Sequence, residues 1–199
     1  MARLKSLGVF GIMIPKEYGG LGFTTSEYLR FTEKMAGLDV ALLLVPLAHL
    51  SIGVMGLLLF GNEEQKRRYL PRAASGETIF AFALTEPQIG SDARNIQTRA
   101  RKHGEGYRLT GTKTYITNAN YAGAFTLFAQ LDGERPGSLG AFVVERQWEG
   151  VAVGKDMPKM GLHINSTAAV MLKEVSVPAA NPVPRPGVDP AAFGAPRGS

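Results

Sequence analysis

The sequence contains no cysteine. Disulfides, thiolate metal sites and cysteine nucleophiles are therefore excluded. Histidine is scarce: His49, His103 and His163 stand far apart, whereas a zinc site needs three or four converging ligands, so each is expected to be an ordinary surface or core residue. Nucleotide-binding glycine patterns are missing too. Gly104-Glu105-Gly106 opens no helix, and Gly20-Leu21-Gly22 precedes no strand–helix unit, so a nucleotide cofactor would have to be held in another way. Met1 to Phe10 lacks the uninterrupted apolar stretch and cleavage site of a secretory signal. No repeat of fixed period is present. The formal charge is +5, which suits either an anionic partner such as a nucleotide or a solvated basic surface. The basic residues are spread along the chain without a nucleic-acid-binding motif, so no nucleic-acid partner is expected.

What is present points to a globular α+β protein. The 199 residues, 45% of them hydrophobic, can bury a core and suffice for a helical unit beside a β domain. The one long uncharged run, Val40 to Phe60, approaches the length of a membrane span. Pro46, His49, Ser51, Gly53 and Gly56 cluster at its centre and fit a buried soluble helix better, so no transmembrane segment is expected. Pro15 to Gly22 reads as a loop with positive-φ glycines. Thr24 with Glu27, and Asn62 with Gln65, have the spacing of helix caps. Tyr28, Phe31 and Met35 form an apolar helical face that Gly37 should end, and Gly61 should end the apolar run.

The character changes near Gly76. Ile79–Thr85, Asn95–Arg101, Tyr107–Asn118, Phe125–Leu131, Ala141–Glu145, Val151–Val153 and Ala168–Val177 read as short strands. Gly104-Glu105-Gly106 is a hairpin turn, and Asp132-Gly133 with Pro136-Gly137 closes the strand before them. The expected organisation is a partial N-terminal helical domain over 1–77, an antiparallel β-barrel over 78–177, and a proline-rich disordered tail over 178–199.

Two segments carry chemistry. In Phe82-Ala83-Leu84-Thr85-Glu86-Pro87-Gln88-Ile89-Gly90-Ser91-Asp92, Pro87 stops the ladder and Gly90-Ser91 offers free amides and a hydroxyl. Such a strand end could hold a heteroaromatic ring edge or a phosphate; taken alone it is more often a polar turn. In Gly111-Thr112-Lys113-Thr114-Tyr115-Ile116-Thr117-Asn118, Tyr115 and Thr117 are two apart and share one face of a strand. They form an aromatic wall beside a hydroxyl donor, or simple sheet packing.

These segments resemble the paired flavin signatures of acyl-CoA dehydrogenases, roughly T-E-P-x-x-G-S-D and G-x-K-x-[WY]-I-[TS]-N. Three further stretches agree with that family: Pro15 to Gly22, Gln65 to Glu77, and Gly161 to Pro178. The resemblance covers residues 7 to 181, and the His49 region and Leu57 to Gly61 are similar to the very-long-chain branch. It implies FAD as cofactor. Phe82, Ala83, Leu84, Thr85, Gly90 and Ser91 would line the flavin and its pyrophosphate, with Thr85 on the pyrimidine end. Tyr115 would cover the ring face away from substrate, Ile116 would lie beside it, and Thr117 would donate to flavin N5. Ser91 would also approach the acyl-CoA. Gln88-Ile89 departs from the family's small pair. Glu86 is expected to be structural.

The resemblance further implies α,β-dehydrogenation of a fatty acyl-CoA to a trans-2-enoyl-CoA. A carboxylate takes the α-proton and the β-hydride goes to the flavin. In the family that carboxylate lies in a C-terminal helical bundle beyond this chain, so no catalytic residue is assigned here. The chain alone is expected to have little or no dehydrogenase activity. A frameshift or truncated reading frame is expected where Asn181 gives way to Pro182-Val183-Pro184-Arg185-Pro186, and helices are expected to be missing before Met1. For the full-length enzyme the family implies an electron-transferring flavoprotein partner and a homo-oligomer, in the cytoplasm or, in a eukaryote, the mitochondrial matrix. The alternatives are an acyl-CoA oxidase or flavin monooxygenase on the same scaffold, or a non-catalytic flavin- or protein-binding fragment.

Overall fold

The computed structural model describes residues 1–134 and 137–183. The first part is helical: α1 (Ala2–Ser6), α2 (Thr25–Leu38), α3 (Val40–Ala48), α4 (Met55–Phe60) and α5 (Glu63–Ala74). Both expected caps form. The Thr24 backbone N–H donates to Glu27 Oε2 at 2.8 Å while Thr24 Oγ1 accepts from the Glu27 amide. Asn62 and Gln65 make the same reciprocal pair at the start of α5. Helix α2 runs past Gly37 to Leu38, because the break is made by Asp39, whose carboxylate accepts from the amides of Ala41 and Leu42 and starts α3 afresh. The loop over 15–22 has Gly19 and Gly22 at positive φ. At Gly20 a Cβ would lie 1.9 Å from the Ile14 carbonyl oxygen, so only glycine fits.

The apolar run is one helix long and apolar enough to cross a membrane by composition, but half of its most apolar window is buried inside the protein. Between α3 and α4 it widens into a π turn, His49–Gly53. The turn lets the chain close on the first strand. Gly53 packs so tightly there that a Cβ would come within 2.8 Å of the Phe80 carbonyl oxygen. His49 is fully buried; its Nδ1 accepts from the Phe80 amide at 2.9 Å, and its Nε2 faces the Ala73 carbonyl at 3.3 Å. Burial pushes the imidazole down to about 4, so it stands neutral with its proton on Nε2.

The strands are β1 (Ile79–Ala83), β2 (Arg99–His103), β3 (Gly106–Thr117), β4 (Ala122–Leu131), β5 (Leu139–Glu145), β6 (Val151–Val153), β7 (Thr167–Val177) and β8 (Pro182–Val183). The α+β class holds, with one change to the expected antiparallel barrel. The sheet is mixed and its pairing does not close, running β6-β7-β3-β2-β4-β5-β8 with β1 added on β4. Strand β4 carries β5 along one edge; on the other it pairs in parallel with β1 through 122–127 and with β2 at 130–131. Parallel pairs need long connections rather than hairpin turns, and no local turn signal announces them. The hairpin at Gly104-Glu105-Gly106 joins β2 to β3. Of the other expected turn, Pro136 lies outside the described residues.

Strand alternation divides the burial. Phe80 faces a helical core with Phe10, Leu50, Leu57 and Tyr69, while Ala81 and Ala83 face a second core inside the sheet with Leu109, Phe125, Phe142 and Val175. Each fully buried phenylalanine contributes roughly 1.5–3 kcal/mol.

Residues 178–183, expected in the disordered tail, are instead ordered. Pro182–Val183 pairs with β5. The Asn181 side chain donates to the Tyr69 hydroxyl at 2.6 Å and to the Val143 carbonyl at 3.0 Å, and Gln65 Nε2 donates to the carbonyls of Ala180 and Pro182. Burial, with the nearby Glu145 charge, pushes the Tyr69 phenol up to about 12, so it remains a donor to Glu145. Composition missed this because the polar partners are distant in the chain: Val143 lies 38 residues earlier, and Tyr69 and Gln65 more than a hundred. Residues 184–199 of that expectation lie outside the described residues.

Candidate functional site

Strand β1 ends at Ala83, and the chain runs on to meet β3. The Thr114 amide donates to the Thr85 carbonyl at 2.9 Å, and Lys113 Nζ donates to the Leu84 carbonyl at 3.0 Å. The two chemistry-bearing segments therefore lie edge to edge. Beyond Thr85, Glu86 and Ile89 exchange both backbone bonds, at 2.9 and 3.1 Å, around an exposed Pro87-Gln88 tip. Gly90 and Ser91 follow on the surface, and a Cβ at Gly90 would meet nothing within 4 Å. The backbone there is open to a large ligand.

Strand β3 shifts its phase at the same place. Lys113 is buried, and a strict alternation would turn Tyr115 and Thr117 inward as well. Instead the pairing with β7 slips between Lys113 and Ile116, and Tyr115 takes a φ of 55°. Ile116 turns into the core, Thr117 is half-buried, and Tyr115 is 67% exposed. A large aromatic held open to solvent at a left-handed backbone position is costly without a partner to cover it. The bulge has no sequence signal of its own, since tyrosine is an unusual residue at positive φ.

Phe82, Leu84, Thr85, Tyr115 and Thr117 remain partly accessible; Ala83 and Ile116 are buried, so only their backbone could face a ligand. No hydrogen bond within the described residues engages the hydroxyls of Thr85, Ser91 or Thr117. Phe82 packs on Phe128 with ring centroids 5.1 Å apart. Both line an apolar groove of about 420 Å³ with Ile52, Met55, Leu59 and Phe60. In the sequence Leu59 and Phe60 stand out only as part of the stretch similar to the very-long-chain branch, and Phe128, Ile52 and Met55 only as members of a strand and of the long apolar run.

The carboxylates of the first segment are already engaged. Glu86 is buried; it accepts from Lys113 Nζ at 2.8 Å, from the amides of Gln97 and Thr98, and from the Thr98 hydroxyl. Burial pushes its carboxyl up, but these donors together outweigh burial and hold it below the usual range. Burial lowers Lys113, an effect that the Glu86 charge opposes. Asp92 accepts from Asn95 Nδ2 at 2.6 Å. Glu86 is thus a buried carboxylate engaged by four donors of the protein itself. Among the described residues no group of three or more metal-ligating side chains converges.

A cradle with unused hydroxyls, an uncovered aromatic face and an open glycine suits a planar heteroaromatic ring bearing a phosphate tail. Two family models match the chain: the acyl-CoA dehydrogenase N-terminal domain over residues 1–77 and the acyl-CoA dehydrogenase middle domain over 81–175. The very long-chain specific acyl-CoA dehydrogenase of Bos taurus, a mitochondrial protein by name, is 44% identical over 189 residues, 91% of this chain and 29% of that protein. A crystal structure of an acyl-CoA dehydrogenase complexed with FAD from Bacillus anthracis aligns with a TM-score of 0.86 at 38% identity, covering 92% of this chain and 31% of that one. A structure described as an electron transferring flavoprotein of Acidaminococcus fermentans aligns with a TM-score of 0.87 at 34% identity, covering 92% and 48%. The chain thus spans less than half the length of each of these relatives.

Proposed function

The chain belongs to the acyl-CoA dehydrogenase family, and we propose that its adjoining segments over 82–91 and 115–117 hold the isoalloxazine of FAD for the α,β-dehydrogenation of a fatty acyl-CoA. The observation that carries this reading is the bond from the Thr114 amide to the Thr85 carbonyl, which sets the two segments side by side. The residues fit the group. Thr85 and Thr117 each offer an unused hydroxyl, Tyr115 an uncovered face, and Gly90-Ser91 open backbone and a third hydroxyl.

Bound FAD would supply a hydride acceptor. Thr85 would hold the polar end of the ring and Thr117 would donate where negative charge gathers on reduction, an interaction that strengthens as the reaction proceeds. Tyr115 would shield one ring face from water. The apolar groove beside Phe82 would keep the hydrocarbon part of the substrate dry, and Ser91 would reach its polar part. The reaction also needs a base within hydrogen-bond reach of the α-carbon. Glu86 and Asp92 are already committed to other donors. We therefore assign this chain the flavin cradle and not the proton transfer. In a longer protein the partner residues would come from further chain, and electrons would pass on to an electron-transferring flavoprotein.

The test is an assay of the purified chain with palmitoyl-CoA, FAD and an electron acceptor, alongside a flavin titration. Flavin binding without turnover is expected; robust turnover would show that a base has been overlooked.

A further inference from the structure

Lys113 and Glu86 form an ion pair whose side chains are 0% and 3% exposed. A pair so deeply buried is a poor way to add stability, since a well-packed apolar pair of similar shape commonly does as well or better. What an ion pair adds is direction, because each bond fixes an atom at a set point. Here the points are specific. From β3, two residues before Tyr115, Lys113 Nζ bonds the Leu84 carbonyl and Glu86 Oε1. Leu84 directly precedes Thr85. Glu86 in turn binds the amides of Gln97 and Thr98 at the entry to β2. One carboxylate therefore closes both ends of the loop that carries Gly90 and Ser91.

We propose that Lys113 and Glu86 are positioning residues that fix the spacing between the Thr85 strand end and the Tyr115–Thr117 strand, and through it the affinity for flavin. The flavin part rests on the function proposed above; the spacing part does not.

The experiment compares the chain with three variants: Lys113→Met, Glu86→Gln, and the double variant. Three quantities are read for each: urea stability, hydrogen exchange at the Thr114 amide, and the FAD dissociation constant from a flavin absorbance titration. Lys113→Met alone strands a buried carboxylate and should lose stability, exchange protection and flavin affinity together. The double variant removes both charges, so it should lose less stability than Lys113→Met alone and still fold, although the Leu84 carbonyl loses its donor and one backbone amide of Gln97 or Thr98 loses its acceptor. Its Thr114 amide should nevertheless exchange at least tenfold faster, and FAD should bind at least tenfold more weakly. A double variant with parental exchange and parental flavin affinity would overturn the proposal, because the pair would then be only structural. So would a double variant that fails to fold. If the parent chain takes up no FAD while the double variant still loses Thr114 protection, the positioning role stands and the flavin reading falls.

Discussion

The Thr114 amide lies 2.9 Å from the Thr85 carbonyl oxygen, one residue before Tyr115 leaves the regular ladder. That contact joins the chain just beyond β1 to the last turn-side residues of β3. It places two segments, 82–92 and 111–118, on one edge, and the consequences for binding and stability can be separated.

Tyr115 should show the separation most clearly. Its left-handed backbone costs a non-glycine residue about 1–2 kcal/mol. Tyr115→Gly should therefore leave folding stability unchanged or raise it by up to about 1 kcal/mol, the gain being reduced by the greater freedom of glycine in the unfolded chain. Flavin affinity should fall about tenfold with the loss of the aromatic face. Thr117→Val should weaken binding by roughly 1 kcal/mol while sparing the fold. Urea melts and flavin titrations on the same preparations check both.

His49 makes stability depend on pH. Its folded value near 4 lies below the ordinary 6.5, so the unfolded chain binds the extra proton. The contribution is complete above pH 6.5 and is lost as pH falls toward 4. It should amount to about 2 kcal/mol lost by pH 5 and about 3 by pH 4. His49→Asn keeps an acceptor for the Phe80 amide but does not titrate. It should be less stable than the parent at pH 7 and lose less stability between pH 6.5 and 5, as followed by urea denaturation at each pH.

Asn181 fastens the chain after β7. Asn181→Ala would leave the buried Val143 carbonyl short of a donor and remove one bond from Tyr69. The cost should be about 1–3 kcal/mol. Exchange at the Val143 amide, which donates to the Asn181 carbonyl, should rise with it.

Gly53→Ala would drive a methyl into the Phe80 backbone at the π turn. Overpacking of this kind typically costs about 1–3 kcal/mol. Because the neighbour is β1 itself, Phe82 should shift too; thermal denaturation and the exchange of the Phe80 amide report the two effects.

Much of this architecture was legible where the signal is local. Thr24 with Glu27 and Asn62 with Gln65 mark helix starts because each cap is written within four residues, and the Gly104 to Gly106 turn is equally self-contained. The π turn at His49, the bulge at Tyr115 and the parallel pairing of β1 with β4 were not legible. Each is imposed by a partner distant in the chain: the Phe80 amide on His49, β7 on β3, and the long connection that brings β4 beside β1. The candidate site residues were proposed from two motifs that resemble the family's flavin signatures. Their mutual placement, and the Lys113–Glu86 pair beneath them, came only from the fold.

The most direct test of the account is a crystal structure of the chain soaked with FAD. The account predicts one isoalloxazine ring lying against Tyr115, with the Thr85 and Thr117 hydroxyls both within hydrogen-bond distance of its edge. A ring bound elsewhere, or touching only one of those two threonines, would contradict it.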